Sequence, residues 1–294
     1  MGTRHCWTVL LVSGALAGCA HLADPIARGE LPVIDVHTHT DFGTKPEPAA
    51  GIPYTLEEYL RQRREAHVAA SVSLAHYEDP NSPDLAREHV LRCAGVGTQV
   101  DVKEIESGLA AGRYGCIKIY LGYIPRAAAD PAYEPVYQLA ARRKVPVVFH
   151  TGDTYAKSGL LKYSEPLGID EVAVAHRDVN FVIAHLGNPW IESAAEVAYK
   201  NPNVYVEGSA LLVGDLSRLP TAQVEEYMIR PIRWAFGYIE DPGKFLYGTD
   251  WPLNDMKAYL EAYKKAIPRR YWPDVFCRNA MKVFPIPADW ARCP

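Results

Sequence analysis

The sequence lacks any basic stripe. Its 31 lysines and arginines stand against 35 acidic residues, for a net charge of −4, so it carries no electrostatic footprint for nucleic acid. The basic clusters at 61–64 and 264–270 are short and read as solvated helix faces. Internal repeats, low-complexity tracts and domain linkers are also missing. With 294 residues and 48% apolar content, one barrel-sized domain fits better than two smaller ones. Past the first eighteen residues no apolar run is long enough to cross a bilayer. Cysteine is scarce, six in all. Four lie outside the N-terminal segment, Cys93, Cys116, Cys277 and Cys293, and these allow three pairings. Cys277 and Cys293 are close enough in sequence to bridge, with buried free thiols as the other reading.

The N-terminus has a different character. Arg4 and His5 precede an almost unbroken apolar stretch from Trp7 to Ala17, which Leu16-Ala17-Gly18-Cys19 closes with small residues. A stretch this short suits a secretory signal better than a spanning helix. The closing tetrapeptide resembles a bacterial lipobox, so residues 1–18 are expected to be a lipoprotein signal. Cys19 would then be the lipidated first residue of an extracytoplasmic, membrane-anchored protein. An ordinary cleaved signal or a buried N-terminal helix are the alternatives. Residues 19–32, with Asp24-Pro25 and Gly29 as breakers, read as a linker.

From there to residue 294 strand-like and helix-like segments alternate. Strands are expected at 33–37, 69–75, 91–97, 116–120, 145–150, 180–185, 204–208 and 245–249, with Gly95 and Gly97 interrupting the third. Helices are expected at 55–65, 102–111, 132–143, 169–175, 191–199, 221–234 and 255–266, and a last one at 275–284. Thr55 and Glu58 have capping-box spacing. This alternation implies an α/β fold with parallel pairing, and eight strands imply a single-domain TIM-like (β/α)8 barrel over 33–294. The long polar loops at 40–53 and 151–168 follow the first and fifth strands and would shape a pocket at the barrel mouth.

Polar side chains at the strand ends carry the chemistry. His37 and His39 stand two apart, so on a strand both imidazoles face the same way. Asp35 shares their parity, to orient an imidazole or to pair with another polar neighbour. His150 ends the fifth strand, His185 the sixth, and Asp250 follows the eighth. Any one of these alone would more often be structural than catalytic. Three imidazoles and a carboxylate together suit a divalent ion with one position open to water. Zinc is the first choice, one per chain, with manganese, iron and cobalt also suited. Such an ion brings the pKa of water to about 7. Asp250 would take the water's proton and pass it to the leaving group, while His185 polarises a carbonyl or steadies the nucleophile.

These segments also carry a resemblance. Asp35-Val36-His37-Thr38-His39, Val148-Phe149-His150-Thr151-Gly152, Ala184-His185-Leu186-Gly187 and Tyr247-Gly248-Thr249-Asp250-Trp251-Pro252, with Arg278-Asn279-Ala280 near the end, are similar to motifs of the amidohydrolase superfamily. The branch is the amidohydrolase-related one, which includes aminocarboxymuconate-semialdehyde decarboxylase, resorcylate decarboxylases and lactone hydrolases. The resemblance implies that His37, His39, His150 and Asp250 ligate one ion and that His185 stands beside it. It also singles out Lys118, at the strand position where binuclear relatives carry a bridging carbamylated lysine. An ammonium paired with Glu207 or with a substrate carboxylate is the plainer reading of the same residue. Tyr120, Asp153, Tyr155, Lys157, Asn188, Trp190, Glu207 and Trp251 are candidate substrate contacts, with Asp153 and Lys157 the first choices for a polar group. Loop packing explains each of them equally well.

The function expected from all this is metal-dependent hydrolysis of a C–N or C–O bond in a small carbonyl compound, such as a cyclic amide, ester or lactone. The alternative is nonhydrolytic decarboxylation of an aromatic or unsaturated acid. A binding protein on a decayed enzyme scaffold would have lost at least one ligand, and none is missing.

Overall fold

The structure, a computed structural model, describes residues 31–74 and 83–294. Eight strands form: β1 Val33–Thr38, β2 Val68–Leu74, β3 Val90–Val96, β4 Cys116–Ile119, β5 Val147–Phe149, β6 Phe181–Ile183, β7 Val204–Glu207 and β8 Phe245–Leu246. Each pairs in parallel with the next in sequence order. The seam between β8 and β1 runs just beyond β8. There Val36 N–H donates to Tyr247 O (2.9 Å), Asp250 N–H to His37 O (2.8 Å) and His39 N–H to Trp251 O (2.8 Å). Single-residue alternation sorts the side chains into two layers. Ile117, Ile119, Val147, Phe149, Phe181 and Ile183 pack outward among the helices. Cys116, Val148, Val182, Tyr205 and Leu246 form a separate cluster, the barrel interior.

The outer helices are α1 Leu56–Glu65, α2 Val102–Ala110, α3 Glu134–Arg143, α4 Ile169–Ala175, α5 Ile191–Lys200, α6 Thr221–Val224, α7 Arg230–Ile239, α8 Met256–Ala266 and α9 Asn279–Val283. The Thr55 side chain caps α1 by accepting from Glu58 N, but the Glu58 carboxylate turns to Arg61, so only half the box forms. The helix expected at 221–234 is α6 running through a π turn into α7, and it extends to Ile239. At the other end of the chain, Cys277, Ala280, Val283 and Phe284 join the interior cluster. The Asn279 amide donates to Pro242 O (2.8 Å) and Phe245 O (2.7 Å), which fastens α9 to the start of β8. The C-terminal segment therefore closes the end of the barrel away from the histidines.

Both disulfides form among the four cysteines. Cys93–Cys116 ties β3 to β4, whose residues are register partners at that point, and Cys277–Cys293 ties the α9 region to the tail. Several strands end earlier than expected. β5, β6 and β8 stop before His150, His185 and Thr249, because the chain turns sharply there to present those side chains. Residues 1–18, Cys19, most of the 19–32 linker and Ala75 lie outside the described residues. Among those described, no helix is long and apolar enough to cross a membrane.

Candidate active site

The seam that closes the barrel also builds the site. The hydrogen bonds from Asp250 N–H and His39 N–H across to the opposite chain hold β1 beside the turn after β8. Asp250 itself sits in the left-handed region, φ 62°, a conformation that a non-glycine residue keeps only where its surroundings enforce it. His39 Nε2 lies 3.0 Å and His37 Nε2 3.4 Å from Asp250 Oδ1. That oxygen is buried and accepts no hydrogen bond. Donor atoms of His37, His39 and Asp250 all lie within 4.8 Å of one another, and those of His37, His185 and Glu207 do so too. Two imidazole nitrogens converging on an unsatisfied carboxylate oxygen suit a divalent cation.

Glu207, from β7, sets the orientation of the first imidazole. Its Oε1 accepts from His37 Nδ1–H (2.6 Å), leaving the Nε2 lone pair to face Asp250. It also accepts from Ser209 Oγ–H (3.0 Å), His185 N–H (3.2 Å) and, on Oε2, Ser209 N–H (2.6 Å). Burial pushes its pKa up, but His37, His185 and Ser209 outweigh that and hold it at about 2. A Cβ at Gly248 would come 2.8 Å from His37 Cβ and 2.9 Å from Glu207 Oε2, so the approach of β7 and β1 requires glycine there. Asp35 does not orient an imidazole. It accepts from Thr249 Oγ1–H (2.6 Å), Thr249 N–H (3.1 Å) and His37 N–H (3.1 Å), which fixes the turn carrying Asp250. Burial raises its pKa to about 7, against the pull of the Thr249 hydrogen bonds.

His185 follows β6 in a turn where three successive residues, His185, Leu186 and Gly187, have positive φ. Its Nδ1 is 2.9 Å from Ser209 Oγ, and its Nε2 is 3.1 Å from His150 Nδ1. His150 Nε2 stands 2.9 Å from Asp153 O, and a carbonyl can only accept. His150 therefore donates from Nε2 and its Nδ1 is left facing His185 Nε2, while His185 Nδ1 in turn faces a second carbonyl, Ser209 O, at 3.2 Å. Burial depresses both, His185 to about 4 with His37 as the second cause. Asp250 is held far below the ordinary carboxylate range. Burial opposes ionisation there, and His37, His39 and His185 together overcome it.

Above these groups lies a cavity of ≈ 480 Å³, lined by His37, His39, Asp41, Lys118, His150, His185 and Asp250 and walled by Tyr54, Tyr120, Tyr123 and Tyr155. Tyr155 Oη donates to Glu47 Oε1 (3.0 Å), so the loops after β5 and β1 meet over the mouth. Tyr155 N–H is held in turn by Tyr123 Oη (2.8 Å).

The amidohydrolase family profile matches residues 34–286. The chain belongs to the amidohydrolase family. No curated protein matches it. Three of the solved structures that share its fold illustrate the range. One is the 5-carboxyvanillate decarboxylase LigW from Sphingomonas paucimobilis, with 14% identity, TM-score 0.63 and coverage of 87% of this chain and 100% of that one. Another is a probable 2-pyrone-4,6-dicarboxylic acid hydrolase from Acinetobacter baumannii, with 13% identity, TM-score 0.62 and coverage of 86% and 99%. The third is an amidohydrolase from Burkholderia multivorans with bound zinc, with 15% identity, TM-score 0.61 and coverage of 87% and 100%.

In this amidohydrolase the expected His37, His39, His185 and Asp250 come together directly, while His150 joins through His185 and belongs to neither three-residue donor cluster. Lys118 and Tyr120 line the cavity, but the Tyr120 hydroxyl is spent on Leu74 O (3.0 Å). Asp153 and Lys157 are exposed and do not line it, because the loop after β5 turns them to solvent, and Asp153 contributes its carbonyl alone. Glu207 faces His37 rather than the cavity. Trp251 is wholly buried against Tyr59 and Tyr54, at ring-centroid distances of 4.8 and 5.5 Å. Asn188 and Trp190 do not line the cavity either. Sequence reasoning missed Asp41, Tyr54, Tyr123 and Ser209. Only Ser209 left a signal, two residues beyond Glu207.

Proposed function

We propose that this amidohydrolase is a metal-dependent hydrolase that cleaves a C–N or C–O bond of a small cyclic amide, ester or lactone. The observation that carries the reading is the His37–His39–Asp250 cluster at the foot of a tyrosine-walled cavity. The donor set suits one divalent ion, zinc first, held by His37, His39, Asp250 and His150, the last exchanging its bond to Asp153 O for the ion. Such an ion supplies Lewis acidity toward a carbonyl oxygen and brings the pKa of water to about 7. Glu207 keeps the His37 proton on Nδ1. Asp250 accepts the proton of the attacking water and passes it to the leaving nitrogen or oxygen. His185, braced at Nδ1 by Ser209, turns its Nε2–H from His150, as His150 moves to the ion, to the oxygen on which charge develops. Lys118 acts here as an unmodified amine. About two ions per chain, lost on Lys118→Ala, would replace this with a carbamate-bridged pair.

The test is metal analysis coupled to a screen of lactones, cyclic amides and aromatic acids. Chelation should abolish turnover and metal should restore it. Asp250→Asn should retain little activity, and a fully active variant would end the proton-transfer role. One observation favours a second reading, decarboxylation. The unpaired Lys118 amine inside the cavity offers a cation to an acid substrate, and a structural neighbour is a decarboxylase. Carbon dioxide release, or deuterium from solvent at carbon, separates the two.

We propose further that the protein is exported and lipid-anchored through Cys19. The two disulfides support an oxidising compartment. Mass spectrometry of the mature N-terminus tests this, and an unmodified Met1 would overturn it.

A further inference from the structure

The two basic clusters, far apart in sequence, meet on one face of the barrel. Arg64 stands in the last turn of α1 with His67 just beyond it. Lys264 and Lys265 stand in the last turn of α8, with Arg269 and Arg270 just beyond. Both helix ends lie at the N-terminal ends of the strands, away from the cavity mouth. Leu31, His67, Lys264 and Trp272 line one groove of ≈ 280 Å³, so the clusters join at the point where the chain enters β1. Arg64, Lys265 and Arg270 are exposed and form no ion pair among the described residues.

A helix C-terminus attracts cations, which accounts for Arg64 and Lys265. It does not account for Arg269 and Arg270, which stand beyond Pro268, nor for the aromatic rings around them. Arg270 lies 4.7 Å over the Tyr271 ring, and Lys264 and Arg269 each lie 5.4 Å over Trp272. The neighbouring α7 is tied to this end of α8 by Arg233 Nη2–H, which donates to Lys265 O (3.3 Å). The last turns of α7 expose Trp234 and Tyr238, stacked at 5.0 Å, and Tyr199 from the end of α5 joins them at 5.8 Å. Glu88 beside α1, and Glu240 and Asp241 after α7, are acids that interrupt the surface. Exposed cations interleaved with tyrosine and tryptophan suit anionic lipid headgroups. The cations gain from the negative surface potential, and the rings rest at headgroup level.

We propose that this face docks on an anionic phospholipid bilayer and holds the barrel with its cavity mouth turned away from the membrane. The proposal rests on the Cys19 anchor only for what brings the barrel to the bilayer. Leu31 stands twelve positions after Cys19, a tether that reaches at most about 40 Å. Alone, such a tether would let the barrel present any side. The basic face selects one, and substrate then enters from the aqueous side.

The experiment places the mature full-length chain on vesicles of phosphatidylcholine, with or without phosphatidylglycerol, and reads amide hydrogen exchange. Exchange over 64–67 and 267–272 should slow only where phosphatidylglycerol is present, and high salt should reverse it. Lys265→Glu with Arg270→Glu should abolish the protection, with circular dichroism and turnover at parental values. Equal exchange on both lipids, or protection that survives the double variant, would overturn the proposal. So would protection of the mouth loops at 40–53 and 151–168 instead. Failure of the anchor reading appears separately, as an unlipidated chain that does not float with neutral vesicles. That chain should still float with phosphatidylglycerol vesicles, about tenfold or more above the double variant, and indifference to them would overturn the docking face. Duplex DNA bound as tightly as the anionic vesicles at the same salt would mark a surface for any polyanion, and would overturn it too.

Discussion

A lysine amine buried without a partner stabilises nothing in the folded chain, and its titration makes that measurable. Burial lowers the Lys118 pKa from 10.5 to about 8, against the pull of Glu207 and Asp250. Below about pH 8 both folded and unfolded chains hold the proton, and the folded state bears the full cost of burying the charge. Between there and 10.5 the unfolded chain binds more protons, so stability rises with pH. A shift of this size corresponds to about 3 kcal/mol. Urea unfolding across pH 7–11 should find Lys118→Met more stable than the parent at neutral pH, with the gap closing as pH rises from about 8 to 10.5. A gap independent of pH would show that the amine is already neutral or paired. At this scale the sequence was legible where geometry is local. His37 and His39 are neighbours on one strand, and Asp250 stands in a motif. Glu207 was read as a substrate contact and Asp35 as the candidate orienter, because the partner of His37 Nδ1 is 170 residues away. No periodicity records such a pairing.

Strands read well as elements, since short β-branched runs between helices leave few other topologies open. Their ends read less well. β8 keeps only Phe245 and Leu246 in regular pairing before the chain bends toward β1. That bend is what brings Asp250 to the histidines, so departure from regular strand geometry and site formation are one event. β7 has the complementary role. Its last residue, Glu207, reaches His37, and its backbone leads on to Ser209 beneath His185. Glu207→Gln keeps the shape of that strand end but removes the charge that holds the His37 proton on Nδ1. Loss of such an outer carboxylate lowers metal affinity by about 10–100-fold. Competition with a chromogenic chelator should show that loss with the circular dichroism spectrum unchanged. Unaltered affinity would mean that Glu207 is structural only.

At the scale of the molecule, the barrel separates stability from chemistry by placing them at opposite ends. The cluster of histidines and Asp250 occupies the C-terminal ends of the strands. At the other end the α9 region enters the interior cluster through Cys277, Ala280, Val283 and Phe284, with its tail clasped by Cys277–Cys293. The disulfide closes a short loop, 16 residues in separation, and a cross-link of that length contributes about 3 kcal/mol by restricting the unfolded chain. Replacing Cys293 alone would leave a buried Cys277 thiol, so the cleaner variant is Cys277→Ala with Cys293→Ser. It should lose about 2–4 kcal/mol in equilibrium unfolding. Turnover per folded molecule and metal content should stay at parental values, because no side chain of that segment reaches the cavity. Loss of metal in a still-folded variant would instead show that the two ends are coupled through β1 and β8. Those are the strands that the C-terminal segment contacts, and their seam holds His37, His39 and Asp250 together.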